Sequence, residues 1–117
     1  MTTPVPAHIE TYVEVLGTDL AIDFFLQFGG SELYLSKTPK HSMVLELTGQ
    51  DKLSMLSERI GPGHVRVPIP KEWIAEQFSN RGMSQAQIAR RLHVDQRTVS
   101  RWFAKRNDRH QLNLFAT

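Results

Sequence analysis

SQAQIARRLHVDQRTVSRWFAKR, Ser84 to Arg106, is the stretch that decides the reading of this chain. Ser84 and Gln87 have the spacing of a capping box, in which each side chain satisfies an orphan backbone N–H of the other residue. Ile88, Ala89 and Leu92 then fall on one helical face, and Ala89 is small where two crossing helices must approach closely. His93 and Val94 form a turn, and Asp95 can cap a second helix through its carboxylate. Val99, Trp102 and Phe103 give that second helix an apolar stripe to pack inward. Its opposite face carries Gln96, Arg97, Ser100, Arg101 and Lys105. These are donors of the kind that read base edges in a major groove, Arg to guanine and Gln to adenine. The pattern is that of a helix-turn-helix, with Asp95 to Arg106 as a recognition helix entering the groove by its N-terminal end. A helical hairpin with a solvated basic face would carry the same charges. Cap, small residue, turn and buried stripe agree with one another, and that agreement favours the helix-turn-helix.

The rest of the chain fits around this element. Its 117 residues suffice for one ordinary domain or two small ones. A composition of 40% hydrophobic and 22% charged residues is that of a soluble globular protein. No apolar run reaches the length that spans a bilayer, and MTTPVPAHIE lacks a signal pattern, so no membrane partner is expected. With no cysteine there is no disulfide framework and no thiolate metal site. The charge is divided unevenly. Met1 to Pro70 holds 5 Lys+Arg and 8 Asp+Glu, a balance of −3, whereas Lys71 to Thr117 holds 9 and 4, a balance of +5. Phosphate contacts therefore belong to the C-terminal part.

Thr2 to His8 reads as an extended arm. Ile9 to Leu16 reads as a short helix ending at Gly17, and Thr18 or Asp19 can cap a second helix carrying Leu20, Ala21, Phe24, Phe25 and Phe28. Gly29-Gly30 stops that helix. Ser31 to Ser36 alternates as a strand does, and Lys37 to Lys40 is a connector. Shifted by 32 residues, Val13–Thr38 lies over Leu45–Pro70 with 4 identities in 26 pairs, among them Gly17 on Gly49 and Gly29 on Gly61. Phe24 then meets Leu56, Phe28 meets Ile60, and Leu33 and Leu35 meet Val65 and Val67. Two copies of a helix–glycine–strand unit follow, the second strand lying in His64 to Pro70. Neither copy is expected to bury its apolar face alone, so the two could pair within one chain or across a dimer; the alternative is two unrelated αβ segments. Pro70 opens another helix with Trp73, Ile74, Gln77 and Phe78 inside, and Gly82 ends it.

Leu16 to Lys37, LGTDLAIDFFLQFGGSELYLSK, resembles the unit of Mor-type phage transcription activators: an amphipathic helix, a Gly-Gly pair, then a Tyr-hydrophobic-Pro strand. Gly29, Gly30, Tyr34 and Leu35 match, and Ser36 stands where the Pro would be. In the second copy Gly61, Val67 and Pro68 fit, while Pro62 and Arg66 replace the second Gly and the Tyr. The resemblance implies a mainly α fold with a small β component, an N-terminal αβ dimerisation region followed by a C-terminal helix-turn-helix. It also implies a homodimer that binds near phage promoters and recruits RNA polymerase, in the cytosol and on the nucleoid of a bacterial host. The expected division is an arm at 1–8, a duplicated helix–strand dimerisation region at 9–70, the DNA-binding domain at 71–107 and a tail at 108–117.

Gln96, Arg97, Ser100 and Arg101 are the expected base readers on double-stranded DNA. Thr98, Lys105 and Arg106, with Ser84 and Gln85 at the first helix's N-terminus, are the expected phosphate contacts. Scattered His8, His41, His64, His93 and His110 show no metal-ligand spacing, GPGH at Gly61 lacks the Lys-Ser/Thr of a phosphate loop, and no cofactor or catalytic set is expected. A recombinase's DNA-binding end would need catalytic residues that the front part does not offer. The tail holds one more pattern. Gln111, Leu112, Leu114 and Phe115 resemble the bacterial sliding-clamp-binding peptide, and an extended tail could bind a clamp in that way, which would make the chain a DNA-associated adaptor of a replication clamp instead of a regulator. The alternative is that its apolar residues pack back on the helix-turn-helix or on a partner subunit.

Overall fold

A 3₁₀ turn at Ala7–Ile9 runs into α1 (Glu10–Leu16), and Gly17 separates α1 from α2 (Thr18–Phe28). β1 (Glu32–Leu35) follows. The same order then returns as α3 (Met43–Thr48), Gly49, α4 (Gln50–Ile60) and β2 (Gly63–Arg66). The computed structural model describes residues 5–35 and 43–115; residues 1–4, 36–42 and 116–117, and the side chains of Met43 and residues 106–115, lie outside what is described. Among the described residues the chain is mainly helical, with seven α-helices and one two-stranded antiparallel sheet. It divides between Pro70 and Lys71 into two units.

The front unit is built from the two copies. Gly17 has φ 81° and ψ 160°, and Gly49 has φ 85° and ψ 157°. That region of backbone space is essentially closed to residues with a Cβ, so the same glycine break joins the helices of each copy. β1 and β2 run antiparallel, with Glu32 opposite Arg66, Leu33 opposite Val65, Tyr34 opposite His64 and Leu35 opposite Gly63. Leu33 and Val65 also coincide under the 32-residue shift of the sequence, so a local two-fold passes between them. The pairing continues past the strand ends: Val67 N–H donates to Ser31 O and Gly30 N–H to Val67 O, both at 2.8 Å. Pro68 has no N–H to carry it further. The helices obey the same symmetry, because α1 packs on α4 while α3 packs on α2. Each copy thus lays its first helix on the other's second helix, and the copies pair within one chain.

The core of this unit is aromatic at its centre. Tyr12 lies 5.7 Å from Phe24 and 5.5 Å from Phe25 by ring centroid, and Phe24 lies 5.6 Å from Phe28. Offset and edge-on contacts of this kind add to the burial energy, and burial raises the Tyr12 hydroxyl's pKa above its ordinary value. Leu35 in β1 and Val67 just after β2 are buried at positions equivalent under the 32-residue shift. Gly29 is required for space: a Cβ there would stand 2.4 Å from the Phe25 carbonyl oxygen and 2.8 Å from Ile69 Cβ.

Several expectations are corrected. The arm does not reach His8, because Ala7–Ile9 already forms the 3₁₀ turn and Ile9 is fully buried. Gly17 holds the N-cap position of α2, with no side-chain cap hydrogen bond, and Thr18 is already helical. Ile22 is buried where Leu20 is only half-buried, since Ile22 falls closer to the centre of the face made by Phe25 and Phe28. Both strands are shorter than read: β1 starts at Glu32, and β2 stops at Arg66 ahead of Pro68.

The back unit holds α5 (Lys71–Asn80), α6 (Gln85–Leu92) and α7 (Gln96–Phe115), each packed against the other two. Trp73, Ile74, Ala75 and Phe78 are the buried apolar residues of α5, while Gln77 is half-buried. Met83 N–H donates to Phe78 O at 3.1 Å and Gly82 N–H to Ser79 O at 3.0 Å, a Schellman closure that turns the chain toward α6. The largest correction concerns the tail. α7 does not end at Arg106 but continues as helix through Phe115. No Gly or Pro interrupts Gln96 to Phe115, and Gln, Leu, Arg and Lys in that run favour helix, so nothing stops propagation. The backbone at 108–115 is therefore not the extended strand that a clamp-binding peptide requires.

Candidate nucleic-acid interface

The entry to α6 is fixed locally. Ser84 Oγ accepts from Gln87 N–H at 3.2 Å, and Ser84 N–H donates to Gln87 Oε1 at 2.9 Å, a complete capping box. Ile88, Ala89 and Leu92 of α6 and Val99 of α7 are buried between the helices. Trp102 and Phe103, expected inside, are only half-buried. A helix of 20 residues is about 30 Å long, so α7 outruns the 8-residue α6 and the 10-residue α5 that cover it.

The turn between α6 and α7 depends on His93. Its backbone sits at φ 58° and ψ 45°, in the left-handed region, and Val94 N–H donates to Ala89 O at 3.0 Å. A residue with a Cβ is strained there, and glycine is the favoured occupant. His93→Gly is therefore expected to raise stability by about 0.5–1 kcal/mol, read as a higher urea midpoint at unchanged slope. A lower midpoint would mean that the His93 side chain makes contacts worth more than the strain. Asp95 precedes α7, and its carbonyl accepts from Thr98 N–H at 3.0 Å and Val99 N–H at 3.3 Å.

With the inner face of α7 fixed by Val99, its outer face follows. Gln96, Arg97, Ser100, Arg101 and Lys105 are all exposed, and Thr98 is half-buried at the margin. One side of the helix thus presents two guanidiniums, an ammonium and an amide. Those groups can form bidentate hydrogen bonds to guanine and adenine edges and charge-assisted bonds to phosphate. The structure brings one expected phosphate contact together with one expected base reader: Ser100 Oγ donates to Gln85 Oε1 at 2.5 Å, linking the start of α6 to α7. The residues are fifteen apart in sequence, and no local pattern announces their contact. The side chains of Arg106, Gln111, Leu112, Leu114 and Phe115 lie outside the described residues.

Two arginines escaped the sequence reading. Arg90 and Arg91 are exposed in the last turn of α6. The helical spacing of Ile88, Ala89 and Leu92 points them away from the buried face, and their position suits the negative end of the helix dipole. Among the described residues no three His, Asp or Glu side chains gather as a metal site, and no helix is long and apolar enough to cross a membrane.

Residues 74–111 match the homeodomain-like domain family. The match takes in most of α5, all of α6 and α7 as far as Gln111. The homeodomain-like domain is a helix-turn-helix of DNA-binding type, which implies DNA as a partner and is typical of non-enzymatic regulators. No curated protein and no solved structure matches the chain.

Proposed function

We propose that the chain is a sequence-specific DNA-binding regulator of transcription, of the Mor type and of phage or prophage origin, acting in the host cytosol. The observation that carries this reading is the exposed face of α7, with Gln96, Arg97, Ser100, Arg101 and Lys105 on one side of a helix whose other side is locked by Val99. Gln96, Arg97 and Arg101 are assigned to base edges. Thr98 and Lys105 are assigned to phosphates, with Ser84 and Gln85 at the start of α6 as further clamps and Arg106 continuing the basic series in sequence. The doubled helix–glycine–helix–strand order of the front unit supports the Mor-type reading, and RNA polymerase is the partner that reading implies.

The test is selection of binding sites from a random duplex pool at about physiological salt, where the phosphate contribution is weakened and specific binding survives. Enrichment of an inverted repeat, with half-sites about 34–36 Å apart, would establish the homodimer that the resemblance implies. A single asymmetric site is the outcome favoured by copies that pair within one chain. A pool with no enriched sequence would sink the regulator reading. On the selected duplex, Lys105→Ala should reduce the slope of log affinity against log salt by about 0.9 while leaving the sequence preference intact. A changed base preference would move Lys105 from phosphate to base.

A further inference from the structure

We infer that Ser100 and Gln85 act as one DNA-contacting unit, in which Ser100 positions the Gln85 amide and does not itself read a base. The inference rests on the DNA-binding reading above. A serine hydroxyl has one proton to donate, and that of Ser100 goes to Gln85 Oε1 at 2.5 Å. The donor by which Ser100 would read a base is therefore already engaged. The same bond restrains the Gln85 amide and leaves its two Nε2 N–H donors, with one Oε1 lone pair, to meet a ligand.

Gln85 is otherwise a flexible side chain, but its backbone is anchored. It is the first residue of α6, directly after the Ser84 cap that Gln87 completes. Half-buried Gln85 and exposed Ser100 thus join the rim of one helix to the outer face of the next. An amide ordered before DNA arrives loses less freedom on binding than one ordered by DNA. The ligand chemistry is a hydrogen-bond acceptor, either a phosphate oxygen or an acceptor atom on a base edge in the major groove.

The experiment is a double-mutant cycle on the full chain, with the highest-ranking duplex from the selection and single-base variants of it. Gln85→Ala and Ser100→Ala should each weaken binding about three- to tenfold, and the double variant should bind no worse than the weaker single variant. Ser100→Thr, which keeps the hydroxyl, should bind like wild type. If the losses of Gln85→Ala and Ser100→Ala simply multiply in the double variant, the unit does not exist. The source of the acceptor is read from the same cycle: an equal loss on every duplex identifies a phosphate oxygen, and a loss confined to one base pair identifies a base edge. A second measurement needs no DNA. In the free protein the side-chain amide resonances of Gln85 should shift in Ser100→Ala and stay in place in Ser100→Thr. Unmoved resonances in Ser100→Ala would overturn the inference by themselves, whereas shifted resonances with no DNA binding would leave the Ser100–Gln85 bond standing and remove its DNA-contacting role together with the regulator reading.

Discussion

A variant carrying both Arg97→Ala and Arg101→Ala is expected to bind its preferred duplex about 2–6 kcal/mol more weakly than wild type, the sum of roughly 1–3 kcal/mol per base-reading arginine. The two guanidiniums stand one helical turn apart on the exposed side of α7, so on the proposed reading each would meet a different base step. Each single variant should relax preference at its own position while retaining the others. Because both side chains are exposed, neither change should move the unfolding midpoint appreciably, which separates lost recognition from lost fold. An arginine whose removal weakens all duplexes alike is a phosphate contact.

The second large effect belongs to the front unit. Phe25→Ala is expected to destabilise it by about 3–5 kcal/mol, the range for emptying a buried aromatic site. Phe25 is fully buried, with its ring 5.5 Å from Tyr12 and 6.0 Å from Phe24, and a core this small has little else to collapse into the space. Urea unfolding followed through Tyr12 or through hydrogen exchange in α2 would measure it. A loss below about 1 kcal/mol would mean that the neighbouring rings close the cavity. The position aligned with Phe25 in the second copy is Ser57, fully buried with an Oγ that has no hydrogen-bond partner among the described residues. One half of the unit is thus filled by a ring where the other half carries a hydroxyl, and the aromatic side bears more of the packing.

The parts of this structure legible in the sequence are those fixed by neighbours in the chain. Ser84 and Gln87 announce the start of α6 because a capping box is made within four residues. Gly17 announces the break between helices because its backbone conformation excludes other residues. The alignment of Leu33 with Val65 announces a repeated strand, but that these two residues face each other across the ladder depends on how the two copies pair. What could not be read depends on distant partners or on a missing signal. The Ser100–Gln85 bond needs two helices already packed. The depth of Trp102 and Phe103 depends on how far α5 and α6 extend along α7, which their spacing on α7 does not reveal. The end of α7 is not legible because no Pro or Gly follows Arg106 to mark a stop, and Asn107 and Asp108 do not break a helix.

The β1–β2 ladder joins two copies carried on one chain, and this governs how the front unit responds to dilution. A symmetric interface between separate molecules falls apart as their concentration drops, because its formation is bimolecular. Here the strands meet at an effective concentration set by the chain that connects them, on the order of millimolar for a short link. Assembly of the ladder is first order, and its unfolding midpoint should not move with protein concentration. The amount of protein made therefore does not decide whether the front unit is assembled. The front unit of a single molecule is already assembled.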